Sequence, residues 1–392
     1  MLSANHCQAG ACCWPTFQKR GRKTGLARDS ALARKSLGTC YNKSNPVFNI
    51  QPEVHMTKRL FSFIFSVVCM LASAGAQAQG KPLRIGFQTG DINVLLMYAS
   101  QTGQFAKQGV ELKMTPFPAG PAMLPALAAG EIDFAWMGEF PAVTGYSNGM
   151  PIEIVMMERL DFTNVRLVVN PASGIQKLAD LKGKKVAVSV GSTSHNHLLK
   201  ALAQAGLKQD EVTVVNLAPA NMPPAYVAGQ VDAALTWEPN VGLMEKAGAR
   251  PIASTQSLGM ITGGIWVARQ AFTKDNPETV QAFLKVWRDA QKAYATNPGD
   301  VRQHEAKRVG QTAQEFDALI ARQTASHPTF EQLLSADFMG PPGKELDSRL
   351  MKHLQGIGAF LVAEKRISAA PSDWTRLFNT QPLQDFLRSE KK

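Results

Sequence analysis

Cysteine gives out early in this chain. All five (Cys7, Cys12, Cys13, Cys40 and Cys69) precede residue 70, so the body that follows can form no disulfide, thiolate metal site or cysteine nucleophile. Positive charge is just as unevenly placed. Eight Lys or Arg stand before Met56 against Asp29 and Glu53, and Lys58 and Arg59 follow at once, which leaves only +3 of the net +11 for the rest. A body so nearly neutral is no argument for nucleic acid. Also missing are a phosphate-cradling G-x-x-x-x-G-K loop, a dinucleotide fingerprint and any nucleophile set beside a base. No cofactor or metal is expected. His195 and His197 are two apart on a helix and cannot share a ligand face, and Met137, Met156, Met157 and Met222 read as core filler.

No apolar run is long enough for a comfortable membrane span. The nearest candidate, residues 60–71, follows the basic Met56-Thr57-Lys58-Arg59 and leads into small residues ending Ala76-Gln77-Ala78. That is the layout of a secretory signal peptide over 56–78. Val68 before Cys69 is not the small residue a lipoprotein site needs. Residues 1–55 lack periodicity and are read as a disordered leader or a mis-assigned start; a nucleic-acid-binding tail or metal-binding arm is the alternative. The mature protein is expected to begin near Gln79, outside the cytoplasm.

What the body does have is alternation. Short apolar strands at 83–88, 132–137, 152–157, 186–190 and 233–237 are separated by helical stretches, which predicts α/β sheets of parallel type. One passage occurs twice. Gly130, Asp133 and Glu139 stand at one constant offset from Gly229, Asp232 and Glu238, and a proline follows the acid in each copy (Pro141 and Pro239). Either a common helix-to-strand turn recurred by chance, or two similar lobes each present a strand end to a shared ligand; the flanking elements repeat as well, which favours the lobes. The expected division is lobe I over 81–169, lobe II over 170–262, and a return to lobe I over 263–392. Hinges are expected at 170–174 and 259–264, and a helical C-terminal region with Trp374 and Phe378 packed on lobe I.

The sharpest local signal is Gly191-Ser192-Thr193-Ser194-His195, between a strand and a helix. Free N–H groups and hydroxyls at a positive helix end make an anion site, although Ser and Thr are also ordinary N-caps. Gln88-Thr89-Gly90 holds the corresponding place in the first lobe. Glu139 and Glu238 each open a helix beside a proline, where the dipole stabilises acids whatever they do. Facing each other across a cleft they would resist closure without a cation between them. Asp161 is a further candidate acid, and Trp237 either lines the cleft or packs in the core.

These residues resemble the periplasmic solute-binding proteins of ABC importers for taurine, alkanesulfonates and nitrate. The likeness is carried by Val186 to His195, Asn216-Leu217, Gly229 to Ala233 and Trp237-Glu238-Pro239 in the second lobe, and by Leu83 to Thr89 and Ala128 to Gly138 in the first. It implies a two-lobed, type II binding-protein fold with two hinge crossings. It also implies that Ser192, Thr193 and Ser194, next to His195, hold an acid group, with Gln88, Thr89 and the Gly138 loop opposite and Trp237 and Glu238 closing the other side. A membrane permease is the implied partner, docking transiently with a monomer in the periplasm. Glu139 and Phe140 depart from the small or hydroxylic residues more usual after Gly138, and their added charge suits an amine-bearing or zwitterionic solute. A pyrimidine-precursor synthase on the same fold is the enzymatic alternative.

Overall fold

The computed structural model describes residues 82–391. The leader and signal segment expected over 1–78 lie outside them. No described helix is long and apolar enough to cross a membrane.

The chain starts with β1 (Leu83–Gln88), α1 (Val94–Gln101), β2 (Leu112–Phe117), α2 (Met123–Ala128), β3 (Phe134–Met137), α3 (Glu139–Ser147) and β4 (Ile152–Asp161). β1 is buried on both faces, as its near-continuous apolar sequence requires of a central parallel strand. The chain then crosses to a second sheet through β5 (Val165–Val169), β6 (Lys185–Val188), α4 (Thr193–Gln204), β7 (Thr213–Asn216), α5 (Met222–Val227), β8 (Ala233–Trp237), α6 (Asn240–Lys246) and β9 (Arg250–Ser254). It returns through β10 (Thr262–Arg269) to α7 (Pro277–Thr296), α8 (Pro298–Arg308), α9 (Ala313–Ala321), β11 (Ala325–Ser326), α10 (Arg349–Ala363) and α11 (Gln381–Ser389).

The first sheet has the order β11-β4-β10-β3-β1-β2 and the second β7-β6-β8-β5-β9. Apart from β11 these are one pattern used twice: three parallel strands, then an antiparallel strand that has crossed from the other half, then one more. The sheets thus carry the expected parallel set with antiparallel strands added to it. β10 runs antiparallel to β3 and β4, and β5 antiparallel to β8 and β9. A strand that carries the chain between lobes enters its new sheet from the cleft end, against the direction of the parallel strands.

The same exchange moves the first boundary. Residues 165–169 belong to the second sheet, so the crossing lies at 162–164 and not at 170–174. The return crossing spans 255–261, beside the expected second hinge. Helices α7, α10 and α11 pack on the first sheet's core, where Phe283, Trp287, Leu354 and Phe386 are buried. Phe378 is buried in that core and bridges to Ile154, while Trp374 packs half-buried against it.

The duplicated passage has a structural explanation. Gly130 and Gly229 take φ of +69° and +66°, the left-handed conformation that ends a helix most easily with glycine. Asp133 then accepts from the backbone N–H of Arg84 at the start of β1 (3.3 Å), and Asp232 from that of Lys185 at the start of β6 (2.8 Å). In each lobe the aspartate fixes a returning strand to the first strand of its sheet, so the repeat is a splice within lobes and not itself a ligand contact.

Candidate functional site

The parallel strands of both sheets end toward one interlobe cleft, closed down to a cavity of about 30 Å³. Lobe I contributes Gln88, Asp91, Trp136, Gly138, Asp161 and Thr262, and lobe II contributes Val165, Ser192, Thr193 and Trp237, with Asn164 on the crossing. At roughly 10–15 Å³ for one water, the cavity holds about two, so a solute enters only when the lobes part.

The lobe II wall is the start of α4. Ser192 caps the helix, its Oγ accepting from Ser194 N–H at 3.2 Å. Thr193 Oγ1 is buried without a hydrogen-bond partner among the described residues, and so is the indole Nε1 of Trp237. An orphaned buried donor costs about 1–3 kcal/mol. Two of them beside a positive helix end form a wall that an oxyanion would satisfy.

The opposite wall is acidic. Asp91 Oδ1 accepts from Ile92 N–H (2.7 Å) and from Arg159 Nη2 (3.1 Å), while Arg159 Nε donates to Asp161 Oδ2 (2.9 Å) and Nη1 to the Ile92 carbonyl (2.9 Å). The guanidinium lies 4.9 Å from the Trp136 ring centre. Two carboxylates share one cation, leaving a net negative charge at the cavity. Burial pushes the Asp91 carboxyl up to about 6, with Arg159 pulling the other way. Burial alone would ease a proton off Arg159, but Asp161 and Asp91 outweigh it and keep the cation firmly protonated.

Of the residues singled out from sequence, Gln88, Gly138, Asp161, Ser192, Thr193 and Trp237 line this cavity. Gln88 presents its Oε1 to the N–H of Gly120 (2.8 Å). The other five do not reach it. Thr89 is exposed and its hydroxyl donates to the Phe117 carbonyl. Ser194 turns its hydroxyl to Ser192 (2.9 Å) inside the helix start. His195 accepts from Gly191 N–H through Nδ1 (3.2 Å), and burial followed by the nearby Arg366 lowers its imidazole to about 4.

Glu139 and Glu238 do not face each other. Glu139 is buried within lobe I, accepting from Thr262 Oγ1 (3.1 Å) and Gly263 N–H (3.3 Å), with His353 Nε2 3.6 Å away. Glu238, directly after β8, sits between Arg166 and Arg322, and accepts from Gly242 N–H at 2.9 Å. Glu139 is held by donors on β10 and Glu238 by the first turn of α6 and two arginines, so neither side chain lines the cavity. The acids that reach the cavity are Asp161 and Asp91. Asp91 follows directly on Gln88-Thr89-Gly90, so the signal for it was one residue past the turn. Trp136, two residues before Gly138 on β3, also lines the cavity, and nothing in the sequence separates it from a core aromatic.

Two contacts show how closely the lobes meet. A Cβ added to Gly138 would run into Thr193 Oγ1 across the cleft. On the rim, Arg322 from the end of α9 donates to Glu238 Oε1 and Glu245 Oε2, both at 2.7 Å, while Arg166 bonds the same two acids from within lobe II.

Two α/β lobes joined by two crossings around a polar cavity define the periplasmic-binding-protein class of fold. Within it the chain belongs to the NMT1/THI5-like family, whose profile matches residues 93–301. It is 29% identical over 329 residues to the taurine-binding periplasmic protein of Escherichia coli (strain K12), covering 81% of this chain and 98% of that one. It is 33% identical over 220 residues to a protein of the same strain named for binding aliphatic sulfonates, covering 56% and 68%. The alkanesulfonate-binding protein SsuA from Xanthomonas axonopodis pv. citri, solved bound to MOPS, superposes with a TM-score of 0.59 at 24% identity, covering 76% of this chain and 96% of that one. A desulfurization enzyme, DSZB, shares the fold at 17% identity with a TM-score of 0.54, covering 78% and 99%.

Proposed function

We propose that the chain is an extracytoplasmic solute receptor of an ABC importer, closing on a small amino-sulfonate of the taurine type and presenting it to a membrane permease. The observation that carries this reading is the polarity of the cavity. Orphaned donors of Thr193 at the start of α4 and of Trp237 at the end of β8 face carboxylates of Asp91 and Asp161 that outnumber their cation. A sulfonate placed at the first wall satisfies the donors. An ammonium placed at the second balances the excess charge. The names of the relatives support the sulfonate half, and the acidic wall supports the amine half. Export through the segment at 56–78, action as a monomer and transient docking belong to the same proposal.

A non-catalytic role is supported by the cavity's make-up. No thiol or imidazole is among the residues lining it, and every cysteine of the chain precedes residue 70. The likeness to the desulfurization enzyme is one of fold alone. Calorimetric titration with taurine, ethanesulfonate, nitrate and ethylammonium tests the reading. Taurine should bind in the micromolar range, which needs about 8 kcal/mol; heat only with nitrate or ethylammonium would remove the amino-sulfonate assignment.

A further inference from the structure

A larger cavity, of about 510 Å³, lies inside lobe I on the other side of Arg159 from the cleft. Its volume falls in the range of small-molecule sites, roughly 300–1,000 Å³. Its walls are mostly apolar, built by Ile92 and Leu95 near α1, Tyr294 on α7, Ile320 on α9 and Pro328 beyond β11. Two polar groups among its lining are open to a ligand. Glu158 is only 4% exposed and forms no salt bridge among the described residues, with the Trp136 indole as its polar neighbour. Gln323 Nε2 is likewise buried with no acceptor.

The balance of charge decides what could enter. Arg159 is held by Asp91 and Asp161, and Arg288 by Glu331 and Glu390. Lys292 is largely exposed at the rim, 3.8 Å from Glu390. The guanidiniums lining the cavity are thus already paired, and Glu158 is the carboxylate left over. An anion would have to displace existing carboxylates, whereas a cation would meet an unpaired one at the end of an apolar pocket.

We propose that this cavity is a second small-molecule site, taking an amphipathic cation: a primary or secondary ammonium on a compact apolar body, with Glu158 as its anchoring carboxylate and Gln323 as a donor to any acceptor the ligand carries. The site is independent of the interlobe reading, since no residue that lines the cleft cavity lines this one. Burial holds the Glu158 carboxyl up at about 7, against the pull of Arg159 and the Trp136 indole. Besides those two, the titratable and charged groups around it are Asp161 and Asp91 behind Arg159, Arg288 and Lys292 on α7, and His327. Ammonium binding should therefore weaken as pH falls below about 7.

The test is a titration of the protein with 2-phenylethylammonium, 2-phenylethanol and 3-phenylpropionate, followed by calorimetry or by NMR shifts of the Tyr294 ring. The ammonium should bind at least tenfold tighter than either analogue and resist displacement by excess taurine. Glu158→Gln should weaken it tenfold or more. Ala295→Trp, at an exposed lining position, should block it while leaving the melting temperature unchanged, which guards against misfolding of the buried variant. Equal affinity for the alcohol, displacement by taurine, or binding that survives both substitutions overturns the proposal.

Discussion

At the level of single residues the account turns on which groups reach the cavity with hydrogen-bonding capacity to spare. Thr193 does, and Ser192 lines the same wall, so their joint replacement by Ala should weaken a sulfonate by ~1–3 kcal/mol per charged hydrogen bond lost, read as calorimetric affinity. Thr89 and Ser194 are already bonded within the fold, and His195 does not line the cavity. Thr89→Ala should accordingly leave affinity within experimental scatter. The acid wall adds a pH dependence whose sign identifies the ligand's charge. Asp91 takes up its proton near 6. A ligand ammonium should then bind more weakly as pH drops through 6, by up to tenfold per pH unit. A purely anionic sulfonate should bind more tightly over the same range. A flat profile for taurine would remove Asp91 from the ligand's surroundings. The residue types of the site were legible in the sequence because hydroxyls at a helix start and acids at strand ends are local features. Which acids turn inward was not. Glu139 and Glu238 sit at equivalent sequence positions with equivalent dipoles, but their orientation is set by Thr262, Arg166 and Arg322, which are remote in the chain.

Among the elements, the repeated helix-to-strand passage and the two crossings matter most. The repeat was visible as a constant offset, and it marks strand splicing in both lobes through Asp133 and Asp232. The crossings were harder to place, because β5 reads as a short apolar strand that would fit either sheet. Only its antiparallel pairing with β8 and β9 assigns it to lobe II. Closure brings α3 and α4 together at Gly138 and Thr193. Gly138 has φ of −76°, so alanine meets no backbone penalty there; its cost is the collision with Thr193 across the cleft. Gly138→Ala should leave the melting temperature of the free protein nearly unchanged and lower solute affinity tenfold or more. A variant that binds normally would mean that the lobes do not meet at this point in the bound state.

For the molecule as a whole, two similar sheets are held by short crossings, and much of what joins them at the rim is charged. Arg322 reaches from lobe I to Glu238 and Glu245 of lobe II, with its own side chain 42% exposed. Exposure and salt screen such a pair. Arg322→Ala should thus cost little global stability while raising the solute dissociation rate in stopped-flow measurements, and added salt should shrink the difference between variant and parent. An unchanged off-rate would exclude the pair from the closing contact.

The central claim is that one cavity recognises two opposite charges on one small solute. Comparing taurine with ethanesulfonate, which differ only by the amine, in parallel calorimetric titrations at pH 7.5 isolates the acidic wall's contribution. The account predicts taurine at least tenfold tighter, about 1.4 kcal/mol, with the margin collapsing in Asp161→Asn. Ethanesulfonate binding as tightly as taurine, or neither producing heat, would contradict it.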